Sequence, residues 1–369
     1  MTLSMPAAAT GDVLSIDRFV PHVSTVEANR GQTVGLFLRE RLLSSGDGDA
    51  ATRAAVLLLH GGFAPSVVAY DLRYRDYSLM EQLARAGFDV FTFSHTGYAP
   101  SPRPRMDDPV NVDAPFQQHL VPHVLSGAHA PRYPFKLVSS RTEWDEIETI
   151  VEFIRELRGV ARVHLLGWST GAPRAGGYAA LHPDKVGRVL LYGPSQFFDR
   201  EDPPATMPEP GSPTLLQTRE FLLDRRWRDH VHDDGQIEDP AVCEAFWREL
   251  MAMDEIGACW GREGLGIMRA PSRMNFGWKA SLARIAAPTL YLLGEHDNYA
   301  RRLESWKALS APQRMFVRVA GCSHFMQFER ARHLLYRAAA EWFSAGSFMG
   351  HASGEFAADT AGRLCAATA

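Results

Sequence analysis

One stretch, residues 162–191, does most to limit the folds open to this chain. Arg162 to Trp168 reads as a buried strand. It runs into Gly167-Trp168-Ser169-Thr170-Gly171, then into small-residue-rich helical sequence from Ala172 to Leu181, and a second apolar run follows from Val186 to Leu191. That is strand, helix, strand, with a connection long enough for a parallel crossover. A Gly-x-Ser-x-Gly segment between a strand and a helix marks a sharp turn that lifts the serine hydroxyl above a sheet. Flanking glycines let the backbone take that geometry without a Cβ clash. Ser169 is therefore the candidate nucleophile.

The same alternation recurs on both sides. Thr33–Arg39, Ala54–Leu59 and Phe88–Phe93 read as strands, with a helix from Tyr77 to Ala86 stopping at Gly87. Thr142–Leu157 has an amphipathic helical period, with Thr142 as its expected cap. Further on come strand Thr289–Leu293, helix Arg301–Ala308, strand Met315–Val319 and helix Met326–Phe343. Strands alternating with helices predict an α/β fold, a mostly parallel sheet covered on both faces. Ligands bind beyond the carboxyl ends of strands in such sheets.

The expected organisation is an N-terminal extension over 1–29, with 1–12 disordered, and a core over 30–193 and 286–344. A helical cap over 194–285 interrupts the core, and a Gly/Ala/Ser-rich segment, 345–369, reads as a loose tail. Eight prolines between Ala99 and Pro134 forbid a helix or central strand there and predict an ordered surface excursion.

Composition narrows the partners. A net charge of −4 over 369 residues, with scattered arginines and only four lysines, leaves no basic stripe for nucleic acid. There is no apolar run near 18 residues and no basic-then-apolar start, and the four cysteines are widely spaced. These features predict a reduced cytoplasmic protein without a membrane span. No metal-ligand spacing is evident, and His230-Val231-His232 reads as a polar helix end. No Gly-x-Gly-x-x-Gly follows the first strands, which argues against dinucleotide chemistry. The expectation is a cofactor-independent protein.

A serine hydroxyl needs a base near neutral pKa, and histidine is the first choice. His324, in Gly321-Cys322-Ser323-His324-Phe325, follows the last expected core strand and is the candidate base. His60 and His95 also follow strands but have ordinary structural readings. An acid must fix the imidazole tautomer. Asp297, in Gly294-Glu295-His296-Asp297, is the choice, with Glu295 structural and Asp199 as fallback. Oxyanion donors are expected from the backbone of Thr170 and from His60-Gly61-Gly62-Phe63, with Gly62 favoured and Phe63 next. Trp168 and Phe325, beside the nucleophile and base, are candidate substrate contacts.

Taken together, these motifs resemble the α/β-hydrolase superfamily over roughly residues 30–343, in a serine esterase form with a helical cap inserted after the sixth strand. The order Ser169, Asp297, His324 is that of its triad. One departure stands out. Where members often carry Asp-x-x-Gly-x-Gly-x-Ser, this chain has Ser94-His95-Thr96-Gly97-Tyr98-Ala99-Pro100-Ser101, a change expected to touch loop stability more than catalysis. The resemblance implies hydrolysis of an ester or related acyl bond by water. A serine at the elbow argues against dehalogenase and epoxide hydrolase chemistry, which use aspartate there.

Aromatics in the insert, among them Phe197, Phe198, Trp227, Phe246, Trp260 and Trp278, suggest a cap over an apolar pocket. The expected substrate is a small to medium hydrophobic ester or lactone. The alternatives are acyl transfer or carbon–carbon bond hydrolysis with the same triad, and last a non-catalytic ligand-binding protein.

Overall fold

The computed structural model describes residues 11–44, 53–195 and 200–366. Fourteen strands are assigned within these residues: β1 Val13–Val23, β2 Thr33–Leu43, β3 Ala55–Leu59, β4 Asp89–Phe93, β5 Val138–Ser139, β6 Val163–Trp168 and β7 Val186–Tyr192. They continue with β8 Thr214–Thr218, β9 Ile267–Pro271, β10 Arg273–Met274, β11 Thr289–Gly294, β12 Arg314–Val319, β13 Gly354–Ala358 and β14 Leu364–Ala366. Ten of them form one sheet in the order β1-β2-β4-β3-β6-β7-β11-β12-β13-β14. Every pairing from β4 through β13 is parallel, and antiparallel strands close the two edges.

The sheet is buried on both faces, which is why its central strands read as continuous apolar runs. Along β3, Val56 and Leu58 face one core with the helices Leu79–Arg85 and Arg332–Ala345. Ala55, Leu57 and Leu59 face the other, with the helices Ser140–Arg158 and Gly171–Leu181. The helix expected over 142–157 is capped by Ser139, whose hydroxyl accepts from Thr142 N–H while Thr142 returns a bond to Ser139 N–H. Thr142 thus stands inside the helix as the third residue of a capping box.

Both ends of the chain differ from expectation. Residues 13–23, assigned to an extension, form the edge strand β1 and pair with β2 along its whole length. The expected loose tail, 345–369, supplies β13 and β14, with β13 parallel to β12 and Phe348 wholly buried in the core. Backbone pairing, with Phe348 and Ala358 as buried anchors, orders this segment, and its small-residue composition hid that from the sequence.

The insert after β7 follows the sixth main-sheet strand in chain order. It is not purely helical: β8 and β9 pair antiparallel beside the helix Ala241–Met253. The proline-rich excursion joins it through a bridge from Val112 to Thr214 and through β5 beside β10. The end of the insert belongs to the core, since Trp278 packs on the helix Gly171–Leu181 where Gly176 leaves room. Among the described residues, no helix is long and apolar enough to cross a membrane.

Candidate active site

Ser169 sits where β6 turns into the helix Gly171–Leu181, with φ of +55°. A non-glycine residue in that region is strained and is held only by firm surroundings. Here the surroundings are backbone: Ser169 N–H donates to Tyr192 O at 3.1 Å, and Ser195 N–H donates to Ser169 O at 3.0 Å. Gly171 is required by packing, because a Cβ there would run into the Leu59 carbonyl.

The structure brings His324 and Asp297 together. Asp297 follows β11, His324 follows β12, and His324 Nδ1 lies 2.9 Å from Asp297 Oδ2. Gly193, at φ +48° after β7, gives them space, since a Cβ there would lie 2.7 Å from Asp297 Oδ2 and 2.9 Å from His324 Nδ1. Burial lowers the His324 pKa below its usual value, opposed by Asp297 and reinforced by Arg302. A neutral imidazole with its Nδ1–H directed to Asp297 leaves Nε2 as a proton acceptor. That Nε2 is buried and has no hydrogen-bond partner among the described residues.

No hydrogen bond joins Ser169 to His324. Instead Ser169 Oγ lies 3.1 Å from Ser195 Oγ, and Ser195 Oγ is 3.5 Å from Thr170 Oγ1. Catalytic hydrogen bonds often tighten only in the substrate complex. The loops are nonetheless in contact, because Trp168, next to Ser169, donates its indole N–H to His324 O at 2.9 Å.

The loop after β3 lies against the elbow. A Cβ on Gly61 would be 3.1 Å from Ser169 Cβ, and one on Gly62 would be 3.2 Å from Thr170 Oγ1. Its carbonyls are anchored from behind: Arg174 donates to His60 O at 2.6 Å, Tyr70 to Leu59 O at 2.7 Å and Tyr98 to Gly62 O at 3.3 Å. Among the described residues the N–H groups of Gly62, Phe63 and Thr170 have no acceptor. Unspent donors on two loops that face each other suit an incoming oxyanion.

Other residues hold this frame. Arg174 also pairs with Glu143 at 2.7 Å, and Arg273 bonds the same carboxylate. His95 Nδ1 lies 2.7 Å from Glu146 Oε2, and His95 N–H donates to His60 Nε2 at 3.3 Å. Burial pushes Glu146 up to about 8 and both histidines well below their usual value, so the His95–Glu146 pair is neutral. Ser94 and Ser101, in the departing 94–101 segment, fix the loop by bonds to Ala99 O and Phe37 N–H. Glu295 pairs with Arg318, a structural contact. Trp168 and Phe325 are wholly buried and pack edge to face on each other beside His324. Asp199, Phe197 and Phe198 lie outside the described residues.

Four supporting residues escaped the sequence reading. Ser195 is one. Arg302 is ion-paired to Asp297 at 2.9 Å and donates to the Gly193 and Pro194 carbonyls. Glu329 accepts from Ser323 N–H at 2.8 Å and from the Trp227 indole at 3.1 Å, tying the His324 loop to the insert. Arg174, on the elbow helix, had no motif around it to mark it.

A family model described as alpha/beta hydrolase fold matches residues 54–241. No curated protein matches the chain. Among solved structures, a serine hydrolase involved in carbazole degradation aligns at 17% identity and a TM-score of 0.53, covering 90% of this chain and 99% of that one. A 2-hydroxy-6-oxo-6-phenylhexa-2,4-dienoate hydrolase from Rhodococcus sp. strain RHA1 aligns at 19% identity and 0.46, covering 86% and 95%. At such identities the likeness speaks for the fold.

Proposed function

The chain belongs to the α/β-hydrolase fold family, and from that premise we propose that it is a serine hydrolase cleaving carboxylic esters or lactones of small to medium hydrophobic substrates. The observation that carries this reading is the His324–Asp297 contact at 2.9 Å beside a serine held at positive φ. Ser169 Oγ attacks the carbonyl carbon as His324 Nε2 takes its proton, and the oxyanion is held by Thr170 and Gly62, with Phe63 adjoining. On collapse the acyl–alkoxy bond breaks and His324 returns the proton to the leaving oxygen. Water then attacks the acyl-enzyme, again giving its proton to His324, and the free acid leaves as Ser169 regains the proton. The reaction as written draws on no cofactor. The described part of the insert ahead of Trp278, joined by the 99–134 excursion, serves as the cap.

The test is steady-state hydrolysis of p-nitrophenyl acetate, butyrate and octanoate by wild type and Ser169→Ala. Loss of at least about a thousandfold in a folded mutant is the expected result. Equal activity in both would remove Ser169 from the role.

A further inference from the structure

One guanidinium beside the site has no counter-ion among the described residues. Arg226 follows the single π-helical turn Glu220–Arg225 of the insert and is partly buried, its guanidinium carbon 4.5 Å from the centre of the Phe63 ring. Its neighbours in the same turn are all ion-paired: Arg219 with Glu244, Arg225 with Asp229 at 3.8 Å and Arg228 with Asp224 at 2.6 Å. Beyond its backbone N–H, which donates to Phe221 O at 3.0 Å, the Arg226 side chain makes no hydrogen bond or ion pair among the described residues.

The turn is held in place by the next residue. Trp227 is wholly buried, stacks on Phe325 at 4.9 Å and 11°, and donates to Glu329. Two consecutive residues therefore touch the two loops that carry the candidate oxyanion donors and the candidate base. The charge of Arg226 reaches both Asp297 and His324, and burial together with Arg302 lowers its pKa without neutralising it. Arg302 already balances Asp297 at 2.9 Å, so Arg226 leaves the site with one surplus positive charge.

A half-buried cation without a partner is costly, and a ligand anion removes that cost. A guanidinium fork matches a carboxylate bidentately. Building on the hydrolase reading above, we infer that the substrate is an ester bearing a carboxylate, which Arg226 holds while the scissile carbonyl rests at Ser169. The pocket then selects half-esters and acyloxy acids over neutral esters of the same size.

Two substrate pairs test this, one with the charge on the acyl side and one on the alcohol side: monomethyl glutarate against methyl pentanoate, and m-butanoyloxybenzoate against phenyl butanoate. In wild type, kcat/KM for the charged member of at least one pair should exceed that of its neutral partner by roughly ten- to a hundredfold, the worth of a charged hydrogen bond. Arg226→Ala should abolish that ratio and Arg226→Lys keep part of it. Ester hydrolysis without a charge preference, or a preference that survives in Arg226→Ala, overturns the inference and leaves the hydrolase reading standing. If neither pair is hydrolysed in a Ser169-dependent way, the hydrolase reading fails, and calorimetry with glutarate decides the anion site alone. Binding by wild type that weakens tenfold or more in Arg226→Ala upholds it; equal binding, or none in wild type, overturns it.

Discussion

At the scale of single residues, the site depends on protonation. In the proposed mechanism His324 must be neutral to accept the serine proton, and its pKa is lowered by burial. Activity should therefore be lost as pH falls through a midpoint below 6.5, and kcat/KM measured against pH would show that single limb. Removing the Arg226 charge relaxes part of the depression, so the midpoint in Arg226→Ala should move upward. Asp297→Asn should cost about a thousandfold or more in kcat, by disfavouring the tautomer with Nδ1–H directed to it. Ser169, Asp297 and His324 were legible because each stands in a short motif after an expected strand. Ser195 and Arg302 were not, since a lone serine or arginine carries no local signal.

Among the elements, the oxyanion loop and the elbow helix are clamped by one side chain. Arg174 reaches from the helix Gly171–Leu181 to His60 O and to Glu143 on the helix Ser140–Arg158. Both partners of the ion pair are about 1–2% exposed. Arg174→Met should destabilise the fold by about 1.5–3 kcal/mol, the worth of a charged hydrogen bond, since Arg273 still pairs with Glu143. Urea denaturation would measure this, and a change under 1 kcal/mol would assign the clamp no weight. At the end of β7, Gly193→Ala should push Asp297 and His324 apart and lower kcat by roughly a hundredfold, a typical penalty for small misplacement. The helices were readable by period, yet the cap of the first long one fell three residues earlier than expected. A capping box contains two hydroxyl residues, and sequence alone does not say which one stands outside the helix.

For the molecule as a whole, the largest departures lie at the ends and in the insert. Phe348 is wholly buried in a segment that composition marked as loose. Phe348→Ala should cost about 3–5 kcal/mol, as for any buried phenylalanine, whereas a loose tail would give almost none. The buried His95–Glu146 pair couples global stability to pH. Glu146 keeps its proton up to about 8 when folded, while in the unfolded chain it ionises near its ordinary 4.5. The folded state then binds more protons between those values, so this group lowers stability as pH rises through that window. The buried histidines act oppositely, favouring unfolding below their usual 6.5. Glu146→Gln should flatten the decline between pH 5 and 8, read as thermal melting at several pH values; an unchanged slope would remove Glu146 as its source.

The sequence by itself determined the parallel core, the elbow and the two loops that carry Asp297 and His324. Each is written locally, in apolar runs of strand length and in glycine-bracketed turns whose geometry few other residues allow. Only the tertiary structure decided which edges complete the sheet, since pairing at β1 and β13 depends on partners distant in the chain and not on their own composition. It also decided which charges are spent. Arg174, Arg302 and Arg226 look alike in sequence, but burial and neighbours make the first a clamp, the second a counter-ion and leave the third open to a ligand.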